Sequence, residues 1–365
     1  MKIAVNTGGG DAPGLNAVIR AVTMAACRRG WEVWGIRYGY RSLIEPDVPL
    51  MRLTEKEVAD ITKVGGTILG AINKGNPFEY AVKQPDGSLK GEDISDRLVQ
   101  RFKEEGFDAL VAIGGDGSLT IAHQLALKGI NVVGVPKTID NDLEATWQTF
   151  GFDTAVHNAT DMIDKLHPTA RAHERCFVVE VMGRDAGWIA LHSGIAGDAD
   201  VILIPEIKFN WNEVFRKVKE CYANGQNYAI VVCAEAAKAE TSGTVILSKN
   251  EIGRLRRLGG VGAMIAEEIN SHTGIETRVM VCGHVQRGGE PTTFDRLLAL
   301  RYGTEAIRAI ERGETDVMVS FQPPKMITVP LTAAAGKNRR VDLDNDTVQT
   351  ARALGISFGD RPPTL

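Results

Sequence analysis

Short apolar runs that are rich in valine and isoleucine recur along this chain, and segments with the apolar periodicity of helices separate them. Eight of these runs are predicted strands, at residues 3–6, 32–36, 109–113, 132–135, 177–181, 201–204, 229–233 and 279–282. Unbroken apolar runs of this length are typical of strands buried on both faces, and strands that alternate with helices form parallel sheets covered by helices. The sequence therefore predicts an α/β fold.

The length and the two series of strands indicate two lobes. A chain of 365 residues exceeds what one hydrophobic core usually supports. We predict two Rossmann-like lobes, made of residues 1–150 with 286–335 and of residues 151–285 with 336–365, and a ligand-binding cleft between them. Three prolines favour a surface excursion over residues 323–340, and the last helix is predicted at 347–354.

Composition narrows the kinds of partner. The net charge of −4 provides no general attraction to nucleic acid or to a membrane surface, so small molecules are the expected partners. The five cysteines are odd in number and include no Cys-x-x-Cys, which favours buried thiols in a reducing cytoplasm over disulfides or a zinc site. No apolar stretch is long enough for a membrane span.

Two glycine-rich segments each follow a predicted strand. Residues 7–14 read Thr-Gly-Gly-Gly-Asp-Ala-Pro-Gly and open a helix, so their backbone N–H groups can cradle a phosphate. Residues 114–118 read Gly-Gly-Asp-Gly-Ser and add the carboxylate of Asp116, which can hold Mg²⁺ beside phosphate oxygens. A tight turn would explain the first segment alone, and the second also resembles loops of NAD and diacylglycerol kinases.

A third segment supplies two more carboxylates. Residues 138–142 read Thr-Ile-Asp-Asn-Asp and follow the predicted strand at 132–135, so they are expected near Asp116 at one edge of the sheet. One acid can accept the proton of an attacking hydroxyl while the other binds a metal ion, and these two roles suit phosphoryl transfer. A solvated acidic turn is the alternative if no phosphate loop lies nearby.

The three segments resemble the phosphofructokinase family in their order and spacing. Further matches are Gly-Gly-Thr-Ile-Leu-Gly at 65–70, Glu-Val-Met-Gly-Arg at 180–184 and Gly-His-Val-Gln-Arg-Gly-Gly at 283–289, so the resemblance covers about residues 1–315. The resemblance implies phosphoryl transfer to the 1-hydroxyl of fructose 6-phosphate with Mg²⁺ as cofactor. It also implies that the lobe beginning at residue 1 binds the phosphoryl donor and that the other lobe binds the sugar phosphate.

The resemblance assigns roles to individual residues. Asp140 matches the base that deprotonates the sugar hydroxyl, and Thr138 and Arg184 match groups that contact the transferred phosphoryl. Asp116 matches the magnesium ligand, with Asp142 beside it. The sugar phosphate is expected to contact Thr138, Asp140, Arg175, Met182, Gly183, Arg184, Glu235, Arg278, His284 and Arg287. In the family, the residues matching Arg175 and Arg278 reach in from a neighbouring subunit, so a homodimer or homotetramer with shared sites is expected.

The identity of the donor stays open between ATP and pyrophosphate. The donor is expected to contact Gly9, Tyr40, Lys74, Gly115, Asp116, Gly117, Ser118 and Lys137. In the family, a small residue at the position of Gly117 leaves room for the α-phosphate of ATP, whereas pyrophosphate enzymes usually have an aspartate there. A lysine at the position of Lys137 is typical of pyrophosphate enzymes. We favour ATP, with pyrophosphate as the alternative and a non-catalytic sugar-phosphate-binding homologue as a third hypothesis.

Overall fold

The computed structural model describes residues 1–72, 75–240, 246–248 and 257–361. The strands of this part are β1 (Lys2–Thr7), β2 (Glu32–Ile36), β3 (Met51–Leu53), β4 (Tyr80–Lys83), β5 (Leu89–Glu92), β6 (Ala109–Gly114), β7 (Val132–Pro136), β8 (Cys176–Val181), β9 (Val201–Leu203), β10 (Ala229–Ala234), β11 (Ile246–Ser248), β12 (Arg257–Leu258), β13 (Thr277–Val281), β14 (Val317–Gln322) and β15 (Lys325–Pro330). Its α-helices are α1 (Leu15–Cys27), α2 (Arg41–Ile44), α3 (Ser95–Glu104), α4 (Asp116–Leu127), α5 (Phe152–His173), α6 (Trp188–Ala196), α7 (Trp211–Ala223), α8 (Val261–Thr273), α9 (Thr293–Glu311) and α10 (Asp346–Ala353).

The larger sheet has seven strands in the order β15-β14-β7-β6-β1-β2-β3. Its inner strands are parallel, whereas β3 and β15 run antiparallel to their neighbours at the two edges. Because β1, β6 and β7 run in the same direction, the three polar segments that follow them emerge at one edge of this sheet. The predicted order of strand and loop is what places these segments together.

Helices cover both faces of the seven-stranded sheet. On one face α1 and α9 pack closely, since a Cβ on Gly303 would lie 2.6 Å from the carbonyl oxygen of Val18. Helix α1 buries its apolar residues, among them Leu15 and Ile19, against β1 and β6. Helices α3 and α4 cover the other face with a second apolar core.

The smaller sheet has four parallel strands in the order β13-β8-β10-β9. Helices α5, α6 and α10 pack on one face, and α7 and α8 pack on the other. The prediction of an α/β fold with mainly parallel sheets covered by helices is confirmed. Within the described part of the chain, none of the helices is both long and apolar enough to cross a membrane.

The prediction of a surface excursion over residues 323–340 was wrong for its first part. Lys325–Pro330 forms β15, which pairs with β14 so that Ser320 lies opposite Ile327. The prolines are compatible with this strand because Pro323 and Pro324 form the preceding turn and Pro330 ends an edge strand. The last helix spans Asp346–Ala353, one residue earlier than predicted.

Candidate active site

Two glycine loops meet where β1 and β6 end. The backbone N–H of Gly8 donates to the carbonyl of Ile113 at 2.8 Å, and Thr7 lies opposite Ile113 in the parallel pair. A Cβ on Gly8 would lie 2.4 Å from the Oγ of Ser118, so a side chain there would collide with the second loop. Glycine is therefore required where the first loop approaches the N-terminal end of α4.

The start of α4 leaves open space at Gly117. Among the described residues, no atom outside its own helix lies within 4 Å of a Cβ placed on Gly117, whereas a Cβ on Gly115 would lie 3.3 Å from the carbonyl of Lys137. Asp116 begins the helix, and its Oδ1 accepts a hydrogen bond from the backbone N–H of Gly336 at 2.5 Å. A ligand can therefore approach the helix backbone at Gly117 from solvent.

Lys137 follows β7 and joins the two glycine loops. Its backbone N–H donates to Gly114 at 2.9 Å, and its Nζ donates to the carbonyl of Gly10 at 2.5 Å. A Cβ on Gly9 would lie 3.5 Å from the same Nζ. Burial, followed by repulsion from the Arg287 guanidinium, lowers the pKa of Lys137 to about 8. Lys137 is therefore a buried cation between the loops whose charge titrates close to neutral pH.

Asp140 is the most enclosed carboxyl of the acidic segment. Its side chain is 3% exposed, its backbone N–H donates to the Oγ of Thr138 at 3.0 Å, and its Oδ1 has no hydrogen-bond partner within the described residues. Burial raises the pKa of Asp140. Three cations oppose this shift by attracting the ionised form: Arg287, Arg184 and Lys137. Desolvation and the nearby positive charges thus shift the pKa of this carboxyl in opposite directions.

Asp142 shares this burial with Asp140. Desolvation, followed by repulsion from Asp140, raises the pKa of Asp142 to about 7. Asn141 between them has φ = 52°, a left-handed conformation that asparagine tolerates, and its Oδ1 accepts from the N–H of Thr149 at 3.1 Å. Because the two acids interact, ionisation of one favours protonation of the other near neutral pH.

Arg184 and Glu235 enter the site from the smaller sheet, after β8 and β10. The Oε1 of Glu235 accepts from the backbone N–H of Arg184 at 3.0 Å, and the N–H of Glu235 donates to Val181 at 2.9 Å. Burial, followed by repulsion from Asp140, raises the pKa of Glu235 to about 7. The charge of Asp140 repels Glu235, and the charge of Arg184 attracts Asp140. The loops of the two sheets therefore face each other across one cleft.

Arg287 connects the smaller sheet to the first glycine loop. It ends the short 3₁₀ helix Gly283–Arg287, and its Nη1 donates to the carbonyl of Asp11 at 2.7 Å. Its positive charge also lowers the pKa of both Asp140 and Lys137. His284 is exposed on the same short helix. Arg287 therefore lies between the glycine loop and the acidic segment.

Comparison with known proteins identifies the family to which this cleft belongs. The family model described as Phosphofructokinase matches residues 2–310. This chain belongs to the phosphofructokinase family.

Relatives of this phosphofructokinase carry names for both donors. The "ATP-dependent 6-phosphofructokinase 2" of Clostridium perfringens is 47% identical, and the alignment covers 98% of each chain. A pyrophosphate–fructose 6-phosphate 1-phosphotransferase of Amycolatopsis mediterranei is 46% identical over 94% of this chain and 97% of its own. A solved phosphofructokinase structure from Saccharomyces cerevisiae has a TM-score of 0.76 at 28% identity; it covers 97% of this chain, which spans only 46% of the yeast chain.

A magnesium ion in this phosphofructokinase would depend on ligands from its substrates. Within the described ranges, no group of three or more histidine, cysteine, aspartate and glutamate side chains could hold a metal ion. Mg²⁺ usually takes one or two protein carboxylates together with phosphate oxygens and water. Asp116 and Asp142 carry carboxylates on two loops that residues 336–339 both contact, and these carboxylates would be the protein ligands of an ion that arrives with a phosphorylated donor.

Arg175 and Arg278 lie away from the cleft. Arg175 precedes β8, and Arg278 stands opposite Phe177 near the start of β13, whereas Met182 follows the other end of β8. At about 3.3 Å per residue, the length of β8 separates these ends by roughly 20 Å. Both arginines pair with Glu276 at the surface. Within one chain, the structure does not bring them to the other predicted site residues.

The remaining predicted site residues differ in their surroundings. Tyr40 is 5% exposed and packs in the core beneath α3 and α4, so its ring has little surface to offer a nucleotide. Tyr38, two residues earlier, is half-buried. Lys74 lies outside the described residues. Met182 packs at the edge of the smaller sheet's core, and Gly183 after it has φ = 141°, which favours glycine.

Sequence reasoning missed Arg339, which contacts the acidic segment. The guanidinium donates to the backbone carbonyls of Asn141, Thr146 and Trp147. No motif marks this arginine, because a side chain that binds carbonyl oxygens does not need a particular partner sequence. The sequence instead pointed away from the site, because the prolines predicted a surface excursion that includes Arg339.

Proposed function

We propose that this phosphofructokinase transfers the γ-phosphoryl group of ATP to the 1-hydroxyl of fructose 6-phosphate, which yields the 1,6-bisphosphate and ADP in glycolysis. The observation that carries this proposal is the buried carboxyl of Asp140, whose Oδ1 has no hydrogen-bond partner within the described residues. A buried acceptor without a partner is costly, and a sugar hydroxyl is a donor that would satisfy it.

Asp140 acts as the general base in the proposed reaction. The hydroxyl oxygen forms a bond to the γ-phosphorus, its proton moves to Asp140, and the bond from phosphorus to the ADP oxygen breaks. Burial raises the pKa of Asp140, which makes its carboxylate a stronger proton acceptor than an exposed one. Arg184 and Thr138 stabilise the charge on the equatorial oxygens of the transferred group.

The smaller-sheet lobe, residues 151–285 with 336–365, holds the sugar phosphate in this proposal. Glu235 and the turn at Met182 and Gly183 contact the sugar ring, while His284 of this lobe and Arg287 of the larger-sheet lobe bind the 6-phosphate. Arg287 now donates to a backbone carbonyl. A phosphate dianion is a stronger acceptor than a carbonyl, so Arg287 exchanges partners when the substrate binds.

The larger-sheet lobe, residues 1–150 with 286–335, holds the donor. Its phosphates lie along the two glycine loops and contact Gly9, Gly115, Gly117, Ser118 and Lys137. Asp116 and Asp142 hold Mg²⁺, which neutralises charge on the donor phosphates when bound. The proximity of Lys137 to both loops supports this placement.

ATP is the proposed donor because of the space at Gly117. A nucleotide carries an α-phosphate and a nucleoside beyond the two phosphates that pyrophosphate also has, and the open approach to Gly117 leaves room for them. Pyrophosphate is the second candidate, because the buried cation of Lys137 suits a compact, highly charged donor. The similar identity of relatives named for either donor does not separate the two.

Initial rates with MgATP and with magnesium pyrophosphate test the donor directly. We expect the higher kcat/KM with ATP, and a pyrophosphate rate far above the ATP rate would contradict the proposal. Gly117→Asp adds a carboxylate to the open space and is expected to lower kcat/KM for ATP by about 10²-fold through bulk and repulsion, and less for pyrophosphate. Absence of turnover with either donor would favour a non-catalytic sugar-phosphate-binding protein.

A complete sugar-phosphate site requires two subunits in this proposal. Arg175 and Arg278 lie at the surface, far from the cleft of their own chain, and bind the 6-phosphate in a neighbouring subunit. The enzyme is then a homodimer or homotetramer. The five cysteines are all free thiols, which supports a reducing compartment such as the cytoplasm.

A further inference from the structure

Arg339 binds the acidic segment from its backbone side. Its Nη1 donates to the carbonyls of Thr146 at 2.7 Å and Trp147 at 2.8 Å, and its Nε and Nη2 donate to Asn141 at 3.2 and 2.9 Å. Its own backbone N–H donates to the carbonyl of Asp142 at 2.7 Å. One residue thus contacts both ends of the loop from residue 141 to residue 147.

The smaller-sheet lobe holds Arg339 in place. The guanidinium lies 5.1 Å from the ring centroid of Trp188, and the Nε1 of Trp188 donates to the carbonyl of Arg339 at 3.1 Å. Trp188 begins α6, which follows the turn that contains Arg184. Arg339 therefore ties the acidic segment of one lobe to the helix that follows an arginine of the other lobe.

The segment before Arg339 contacts the second acid-bearing loop. The N–H of Gly336 donates to the Oδ1 of Asp116 at 2.5 Å, and Asn338 forms an isolated β-bridge with Leu143. The four residues 336–339, which we call the C-terminal clasp, thus touch both loops that carry the carboxylates Asp116 and Asp142.

The loop that Arg339 contacts needs external support. Asn141 and Ala145 have φ values of 52° and 61°, and the left-handed conformation is unfavourable for a residue with a Cβ such as Ala145. A guanidinium has five donors in a planar fork and can serve several carbonyls at once, whereas the ammonium of lysine is a single point. Arginine is therefore the side chain that matches this arrangement of carbonyl oxygens.

We infer that Arg339 is a positioning residue for the phosphoryl transfer, which acts by holding the backbone of the Asp140–Asp142 loop at a fixed distance from the second lobe. This inference rests on the proposed function, because the role of Asp140 as base is part of that proposal. Arg339 itself touches no reacting atom. Its effect is expected in kcat, since misplacement of a base by about 1 Å can cost about 10²-fold in rate.

The test combines kinetics with hydrogen exchange in the full chain. For Arg339→Met we expect a 10- to 100-fold lower kcat, a KM for fructose 6-phosphate within about twofold of the wild-type value, and faster amide exchange over residues 138–149. Arg339→Lys is expected to recover only part of both losses. Arg340→Gln is the matched control, because Arg340 is the exposed neighbour, and both readouts are expected to stay at the wild-type level.

Several results would overturn the inference. Unchanged exchange over residues 138–149 in Arg339→Met means that Arg339 does not hold the loop, and faster exchange with unchanged kcat means that its role is structural alone. If Arg339→Met does not fold, Arg339→Lys decides by the same two measurements. If the wild-type protein transfers no phosphoryl group, the proposed function fails, whereas the exchange data still report whether Arg339 holds the loop.

Discussion

The two ends of the smaller sheet place similar charged residues in opposite environments. Where β8 and β10 end, Glu235 accepts from the backbone of Arg184, and burial raises its pKa to about 7. At the starting end of β8 and β13, the exposed Glu276 pairs with the half-buried Arg175 and the exposed Arg278, and the hydrogen bond with Arg175 lowers the pKa of Glu276. The comparison teaches that burial, more than the presence of an arginine, decides whether the pKa of such a carboxyl is raised or lowered.

This difference in burial separates the end of the sheet proposed to take part in catalysis from the end proposed to contact a neighbouring subunit. At the buried end, Glu235 has a raised pKa and lies close enough to Asp140, the proposed base, for the two charges to repel each other. Ion pairs of an exposed carboxylate contribute little to stability, so the arginines at the other end can exchange Glu276 for a phosphate with little loss. The residues of the first end are proposed to act within their own chain, and the arginines of the second end in a neighbouring subunit.

The largest effect is expected at the buried side of the cleft. Asp140→Asn removes the proposed base without changing its size, so kcat is expected to fall by about 10³–10⁴-fold while the KM for fructose 6-phosphate changes little. Steady-state kinetics measure this, with Asp344→Asn, an exposed aspartate, as the matched control. A loss below tenfold would mean that another group accepts the proton.

The exposed end is tested by mixing two impaired variants. Arg175→Ala with Arg278→Ala is expected to raise the KM for fructose 6-phosphate strongly and to lower kcat/KM by about 10²-fold, because a phosphate dianion loses two charge-assisted partners. If each site is shared by two subunits, random oligomers formed from equal amounts of this double variant and of Asp140→Asn contain an intact Asp140 and both arginines in about a quarter of their sites. Mixtures as inactive as their parents would place both arginines outside the site.

A stability measurement compares the two glutamates directly. The folded-state pKa of Glu235 is about 7, above its ordinary value, so the folded state binds more protons and stability falls as pH rises from about 4.5 to about 7. Glu235→Gln removes this loss and is expected to raise Tm by roughly 2–4 °C at pH 8 and by less at pH 5. Thermal unfolding at both pH values measures it.

The same substitution at Glu276 is expected to act in the opposite direction. Its folded-state pKa is lowered, so any contribution to stability is present above its unfolded pKa and is lost as pH falls. Glu276→Gln therefore leaves Tm unchanged or slightly lower at pH 8. A gain in Tm equal to that of Glu235→Gln would show that burial does not distinguish the two ends.

The smallest expected effect concerns substrate affinity. Glu276→Gln removes the carboxylate that competes with phosphate for Arg175 and Arg278, so the KM for fructose 6-phosphate is expected to fall about two- to threefold. Increasing ionic strength is expected to reduce this difference, because salt screens exposed pairs. A raised KM would mean that Glu276 aligns the arginines for the substrate.

Local patterns predicted eight of the strands in the described part of the chain and the loops that carry the acids. The strands that lead to residues 114–118 and 138–142 are short apolar runs, and parallel strands bring their following loops to one edge whatever the rest of the fold does. The edge strand β15 was missed because it is only partly buried and flanked by prolines, so it lacks the apolar signal of an inner strand.

The sequence by itself determined the α/β class, the glycine-rich loops that follow two of the strands, and the resemblance of the chain to the phosphofructokinase family. Only the tertiary structure decided that Asp140 is buried with an oxygen that has no hydrogen-bond partner in the described part of the chain, that Tyr40 lies in the core, and that Arg339 contacts Asn141 across 198 positions of the chain. The physical reason is that pKa values and carbonyl contacts depend on what packs around a group, and residues distant in sequence supply that packing.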